Sequence, residues 1–118
     1  MAGKPTSYRL RIEVSRSLRL SVGRLGEFVF PAGRYVYTGS AKCNLEARIA
    51  RHLRQEKALR WHIDWLLVAP GVTVTSVRRS RIEECALNRS AAGSILAPGF
   101  GASDCRAGCG SHLRYLGK

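Results

Sequence analysis

Acidic residues are scarce in this chain of 118 residues: two aspartates and six glutamates stand against 20 lysines and arginines. So few carboxylates exclude a dense two-metal carboxylate cluster, and a catalytic divalent ion would have to rest on one carboxylate and a mostly water shell. Long apolar runs are also missing. None approaches the roughly 18 residues that a spanning helix needs, and Met1-Ala2-Gly3-Lys4-Pro5-Thr6 lacks the apolar core of a secretory signal, so a cytoplasmic protein with no membrane partner is expected. There are only four cysteines: Cys43, Cys85, Cys105 and Cys109. In that compartment they are expected to be reduced, and buried or metal-binding rather than disulfide-bonded. Cys105-x-x-x-Cys109 with His112 has zinc-ligand chemistry, but the spacing is looser than a zinc knuckle and a fourth ligand must come from far away, so zinc is set aside. The glycine-rich stretch from Ala97 to Asp104 has no lysine-serine/threonine signature and no helix to cap, which makes it an ordinary loop. Neither repeats nor low-complexity segments occur. A hydrophobic content of 45% is enough for one core, and residues 1–118 read as a single domain.

What the chain has in excess is positive charge. A formal net charge of +12 draws polyanions, and 16 of the 20 basic residues are arginine, which binds phosphate through two parallel hydrogen bonds. Nucleic acid is the expected partner, with binding that weakens steeply as salt rises.

Tyr8 to Val14 alternates with period two, putting Tyr8, Leu10, Ile12 and Val14 on one strand face and Arg9, Arg11 and Glu13 on the other. Leu18–Val22 and Glu27–Phe30, joined through Gly23-Arg24-Leu25-Gly26, read as a hairpin. Arg34 to Thr38 is the next strand, left through Gly39-Ser40-Ala41. Asn44 is a suitable N-cap for a helix over about 44–56, in which Leu45, Ile49 and Leu53 form an apolar stripe. Helix phase sets Arg48 and His52 beside that stripe, aimed toward the sheet where an anion should meet them, and turns Arg51 and Arg54 outward as solvated charges. Trp61 to Val68 is dense and apolar, and is read as a short helix with a strand as the alternative. His62 and Asp64 would face each other only in a strand, and His62 is taken as structural. Val72 to Val77 is a β-branched strand. Ser80-x-x-Glu83 fits a capping box opening a helix over about 81–92, which engages Glu83 and leaves Glu84 to project. Ser111 to Leu116 returns as a final strand.

Phosphodiester hydrolysis needs an activated water, positive charge on the phosphoryl oxygens and often a metal at the leaving oxygen. Tyr8 and Tyr37 can hydrogen-bond water or phosphate, Arg48 can clamp phosphate, and Glu84 can hold one cation. Each has a plain alternative: strand tyrosines pack cores, Arg48 can bridge to Glu46 or Glu84, and Glu84 can be a solvated helix residue.

The set Tyr8, Tyr37-Thr38-Gly39, Asn44-Leu45-x-x-Arg48-x-x-x-His52 and Glu84 resembles the motifs of the GIY-YIG nuclease superfamily. Gly33-x-Tyr35-Val36-Tyr37-Thr38-Gly39-Ser40-Ala41, Trp61-His62-Ile63-Asp64, Glu84-Cys85-Ala86-Leu87 and Gly99 to Cys105 with Ser111-His112-Leu113 look like a small stand-alone branch, related to Uri-type endonucleases, of uncharacterised role. The resemblance spans nearly the whole chain and implies an α+β fold, a small antiparallel (mixed) sheet flanked by helices, here with an inserted hairpin near 18–30. It implies a metal-dependent DNA endonuclease. Tyr8 or Tyr37 would be the base or water-orienting group, Arg48 the phosphate clamp, His52 and Asn44 supporting residues, and Glu84 the ligand of one Mg2+ or Mn2+; Asn44, Arg51 and Lys57 are placed along the DNA backbone. The first triplet reads Thr6-Ser7-Tyr8 and lacks its glycine, and the hairpin lengthens the gap from Tyr8 to Tyr37. A second expectation, from another class, is a nucleic-acid-binding module that keeps the fold without turnover, or takes its specificity from a protein partner.

Overall fold

The alternation at the N-terminus produces the central strand of the protein, β1 (Ser7–Val14), in a computed structural model that describes residues 5–41, 43–54, 57–91, 93–101 and 109–118. On one face of β1, Tyr8, Leu10, Ile12 and Val14 are at most 3% exposed. Full burial of each such side chain contributes about 1.5–3 kcal/mol, so this face anchors the core. Strand β4 (Gly33–Ser40) pairs antiparallel with β1, setting Leu10 opposite Tyr37 and Ile12 opposite Tyr35. Strand β5 (Val72–Ser80) pairs antiparallel on the other edge of β1, with an irregularity at Arg11/Ile12. Strand β6 (Leu113–Gly117) completes an antiparallel sheet of order β5-β1-β4-β6. The hairpin forms where the sequence places it, as β2 (Leu18–Val22) and β3 (Gly26–Phe30) in a separate two-stranded sheet. With three helices among the described residues the architecture is α+β.

Helix α1 (Leu45–Leu53) buries Leu45 and Ile49 of its apolar stripe and also His52. Two expectations about its ends fail. Asn44 stands at the N-cap in the left-handed region, φ 57°, and its side chain caps nothing. The C-terminus comes at Leu53 rather than near 56, because Lys57 Nζ donates to the His52 carbonyl at 2.7 Å and Arg51 Nη2 to the Ala58 carbonyl at 2.7 Å. These bonds hold Lys57 and Ala58 to the last turn of the helix and satisfy a last-turn carbonyl that another helical turn would have used.

Trp61–Val68 is helical as expected, as α2 (His62–Leu67). Helix α3 (Glu84–Arg89) is shorter than the 81–92 reading, and Ser80 is not its cap. Ser80 ends β5, its hydroxyl accepting from the Ile82 N–H, and the N-cap is Glu83, whose carboxylate accepts from the N–H groups of Cys85 and Ala86. Glu83 is thus held at the helix start and Glu84 is the acid that projects. No helix among the described residues is long and apolar enough to cross a membrane.

Candidate active site

Three strands end together. Ser7 at the start of β1 lies opposite Ser40 at the end of β4 and Ser80 at the end of β5. The chain leaving β4 at this end enters α1, which carries Arg48 and His52; the chain leaving β5 enters α3, which carries Glu84. This topology gathers residues from four elements at one end of the sheet.

The Tyr8 hydroxyl and His52 Nε2 are 2.6 Å apart, with both residues 2% exposed. The rings of Tyr37 and His52 meet edge-on at 6.1 Å, and those of Tyr8 and Tyr37 lie 6.5 Å apart. Gly39 is required here by close approach. A Cβ on it would come within 2.4 Å of the Tyr8 hydroxyl oxygen, so this glycine, near the end of β4 and opposite Tyr8, leaves the space that the phenol occupies. Gly101 does the same for Tyr37, whose ring a Cβ would meet at 2.9 Å.

Arg48 comes from the α1 side, its Nη1 donating to the Ser40 carbonyl at 2.7 Å and its guanidinium lying 4.5 Å from the Trp61 ring centre. Glu84 comes from α3: Ser40 Oγ donates to its Oε1 at 2.8 Å, and His112 Nδ1 lies 2.9 Å from its Oε2. Ser40 therefore joins the two through one residue, carbonyl to Arg48 and hydroxyl to Glu84. Arg48 forms no ion pair with Glu46 or Glu84; Glu46 is taken by Arg79. The anion expected beside Arg48 is not supplied by a described residue: its guanidinium meets the neutral Ser40 carbonyl, the Trp61 face and the Tyr8 hydroxyl.

Electrostatics sets the resting protonation of the site. Burial raises the phenols of Tyr8 and Tyr37 above their ordinary range against the pull of the Arg48 charge, so both stay protonated near neutrality. Burial, with Lys57 adding to it, pushes His52 down to about 4, so its imidazole is neutral. Burial alone would raise Glu84, but hydrogen bonds from His112 and Ser40 outweigh it and hold the carboxyl below its usual value. Glu84 is ionised with its side chain 26% exposed, and each oxygen keeps a lone pair beyond its single partner. One anchored carboxylate suits a cation that keeps most of its waters, as Mg2+ does.

The other sequence-predicted residues divide. Arg51 is not a solvated charge: it makes two bonds to buried Asp64, at 2.9 and 3.0 Å, and lies 4.3 Å from the Trp61 ring centre. Phase along α1 turned it from the stripe, and α2 packs on that side. Asn44 is exposed at the helix start, and Lys57 is held by the His52 carbonyl. His62 and Asp64 do not act together; His62 Nδ1 accepts from the Gly101 N–H at 2.9 Å, which fixes the loop against Tyr37. Sequence reading missed Ser40 and the tie between His112 and Glu84. Ser40 carried a signal, since it follows the Tyr37-Thr38-Gly39 triplet, whereas the His112 contact has no local one. Cys105 lies outside the described residues.

Residues 7–118 match the profile of the family described as "Domain of unknown function DUF123". No curated protein and no solved structure matches the chain.

Proposed function

The chain belongs to the DUF123 family, and we propose that its sheet-end cluster is the active centre of a metal-dependent DNA endonuclease of the GIY-YIG type, hydrolysing phosphodiester bonds in the cytoplasm. The observation that carries this reading is the junction at Ser40, which holds a cation without an ionic partner among the described residues and an ionised carboxylate on one residue, next to the Tyr8–His52 pair. A phosphodiester asks for that combination: Arg48 offers donors to the non-bridging oxygens, and the attacking water needs an oriented polar group nearby. Tyr8, protonated and fixed by His52, orients that water and accepts a hydrogen bond from it; a resting phenolate is disfavoured by burial. Tyr37 walls the site and excludes bulk water. A divalent ion held by Glu84 would supply Lewis acidity toward the phosphoryl and leaving oxygens.

The test is cleavage of supercoiled plasmid and of branched DNA with Mg2+ or Mn2+, comparing wild type with Arg48→Ala and Glu84→Gln. Each variant should lose at least about 100-fold in rate, the scale of one transition-state contact, while its circular dichroism stays native. Equal cutting by all three proteins, or cutting by none, overturns the reading.

The second reading, a nucleic-acid-binding module without turnover or dependent on a protein partner for specificity, is favoured by one observation. Tyr8 and Tyr37 are 2% and 7% exposed, so neither hydroxyl lies open to solvent. Salt-sensitive DNA binding by wild type, without metal-stimulated cleavage of any substrate, is its signature.

A further inference from the structure

Behind Glu84 stands a second cluster that the nuclease reading does not use. Cys85 on α3, Cys109 before β6 and His112 leading into β6 are 9%, 6% and 2% exposed, and their ligand atoms all lie within 4.8 Å of one another. Cys85 Sγ and His112 Nε2 are 4.0 Å apart. Around a tetrahedral zinc, sulfur at about 2.3 Å and nitrogen at about 2.0 Å leave ligand atoms about 3.5 Å apart, so the cluster needs to contract by no more than about 1.3 Å. Two sulfurs and one imidazole form a soft donor set, one that hard cations such as Mg2+ avoid and Zn2+ favours.

The second shell agrees with this. A metal-binding imidazole presents one nitrogen to the ion and donates its other N–H to a carboxylate or carbonyl, which fixes tautomer and ring orientation. His112 has that arrangement: Nε2 faces the sulfurs while Nδ1 lies 2.9 Å from Oε2 of Glu84. Its backbone is fixed as well, with the N–H donating to the Phe100 carbonyl at 2.8 Å and the carbonyl accepting from Thr38 N–H at 3.0 Å. The ring therefore sits on a rigid frame between the sheet and α3.

We propose that Cys85, Cys109 and His112 bind one zinc ion, which ties α3 to the start of β6. The site is separate from the Mg2+ or Mn2+ position at Glu84 and does not depend on the nuclease reading. Zinc takes the two cysteines as thiolates, releasing their protons to solvent, and takes His112 through Nε2 with Nδ1–H donating to Glu84. Three protein ligands leave a fourth coordination position open among the described residues. The sequence did not suggest this set because it coupled Cys109 to nearby Cys105; the fold brings in Cys85 from the helix that carries Glu84.

The experiment is zinc analysis of the full chain, prepared without chelator and without a metal-binding tag, beside Cys85→Ser, Cys109→Ser and Cys43→Ser. Wild type and Cys43→Ser, whose altered residue is exposed, should hold about one zinc per chain, and the other two variants should fall at least about tenfold. Because the serine variants can fail through misfolding, chelator-stripped wild type is also titrated with Co2+ and then Zn2+. A thiolate-to-cobalt charge-transfer band at one equivalent, bleached by one equivalent of zinc and accompanied by a higher melting temperature with zinc than with Mg2+, supports the site. Three results overturn it: stripped wild type that takes up no stoichiometric metal, a Cys85–Cys109 disulfide in the peptide map, or full zinc content in a folded Cys85→Ser protein. Zinc lost from Cys105→Ser but kept in Cys85→Ser would also replace this triad with the sequence-adjacent set.

Discussion

His52 is a nearly inaccessible histidine surrounded by cations, and its environment turns pH into a stability variable. Lys57, Arg51 and Arg48 all disfavour its imidazolium, as burial does first and most strongly, while Asp64 opposes them only in part. Its folded-state value of about 4 lies below the ordinary 6.5, so as pH falls through 6.5 the unfolded chain takes up a proton that the folded chain refuses. The stability from His52 is therefore complete above 6.5 and is lost as pH falls from 6.5 toward 4. At about 1.4 kcal/mol per pH unit the loss reaches about 3 kcal/mol. Urea unfolding of wild type and His52→Gln at pH 7 and pH 4 isolates this contribution, since glutamine can still bond the Tyr8 hydroxyl but does not titrate. Wild type should lose about 3 kcal/mol more than the variant on acidification. Parallel losses in the two proteins would mean that other groups set the acid sensitivity. The same residue shows what sequence can reveal about a site. Helix phase singled out Arg48 and His52, and local capping chemistry separated Glu84 from Glu83. Phase could not show that Arg51 would be covered, because that depends on α2, which arrives from later in the chain.

At the scale of elements, the joint between α1 and α2 rests on one carboxylate. Asp64 is fully buried and accepts both Arg51 bonds together with the N–H groups of Arg60 at 2.8 Å and Trp61 at 2.9 Å. The two backbone donors belong to the start of α2, so Asp64 closes that helix while gripping α1. Removing half of a buried pair leaves an uncompensated charge, which typically costs about 3–5 kcal/mol. Asp64→Asn should thus destabilise the fold by about 3 kcal/mol in urea unfolding, whereas the exposed pair partner change Glu46→Gln should cost under about 1 kcal/mol. A small effect of Asp64→Asn would show that α1 and α2 are joined by packing alone. This joint also explains which elements were legible. Strands β1 to β5 follow from period-two patterning and glycine turns, which are local, and α2 from its dense apolar run. The ends of α1 and α3 were misplaced because Lys57 and Glu83 terminate or cap them through contacts that helix periodicity does not encode. The antiparallel sheet was legible as a class, but the alignment of Ser7, Ser40 and Ser80 that makes the site is a property of register.

Over the whole molecule the positive charge is not evenly neutralised. Glu27 meets Arg19, Glu46 meets Arg79 and Asp64 meets Arg51, while exposed Arg78 and Arg81 make no ion pair among the described residues. Those two flank Ser80, at the end of the sheet where Tyr8, Arg48 and Glu84 meet, whereas Arg16 follows β1 at its other end. A polyanion drawn to the basic chain would be seated by the arginines around the site, and each phosphate neutralised releases counterions. Duplex binding measured from low to moderate salt should give a linear dependence of log K on log salt, and Arg78→Ala with Arg81→Ala should flatten the slope by about 1.8. Arg16→Ala should leave the slope within about 0.3 of wild type if the far end of the sheet makes no phosphate contact. Equal flattening by the two variants would mean that DNA is held by net charge without regard to the site. Flattening by Arg16→Ala alone would move the DNA path to the opposite end and separate it from the residues proposed to cut.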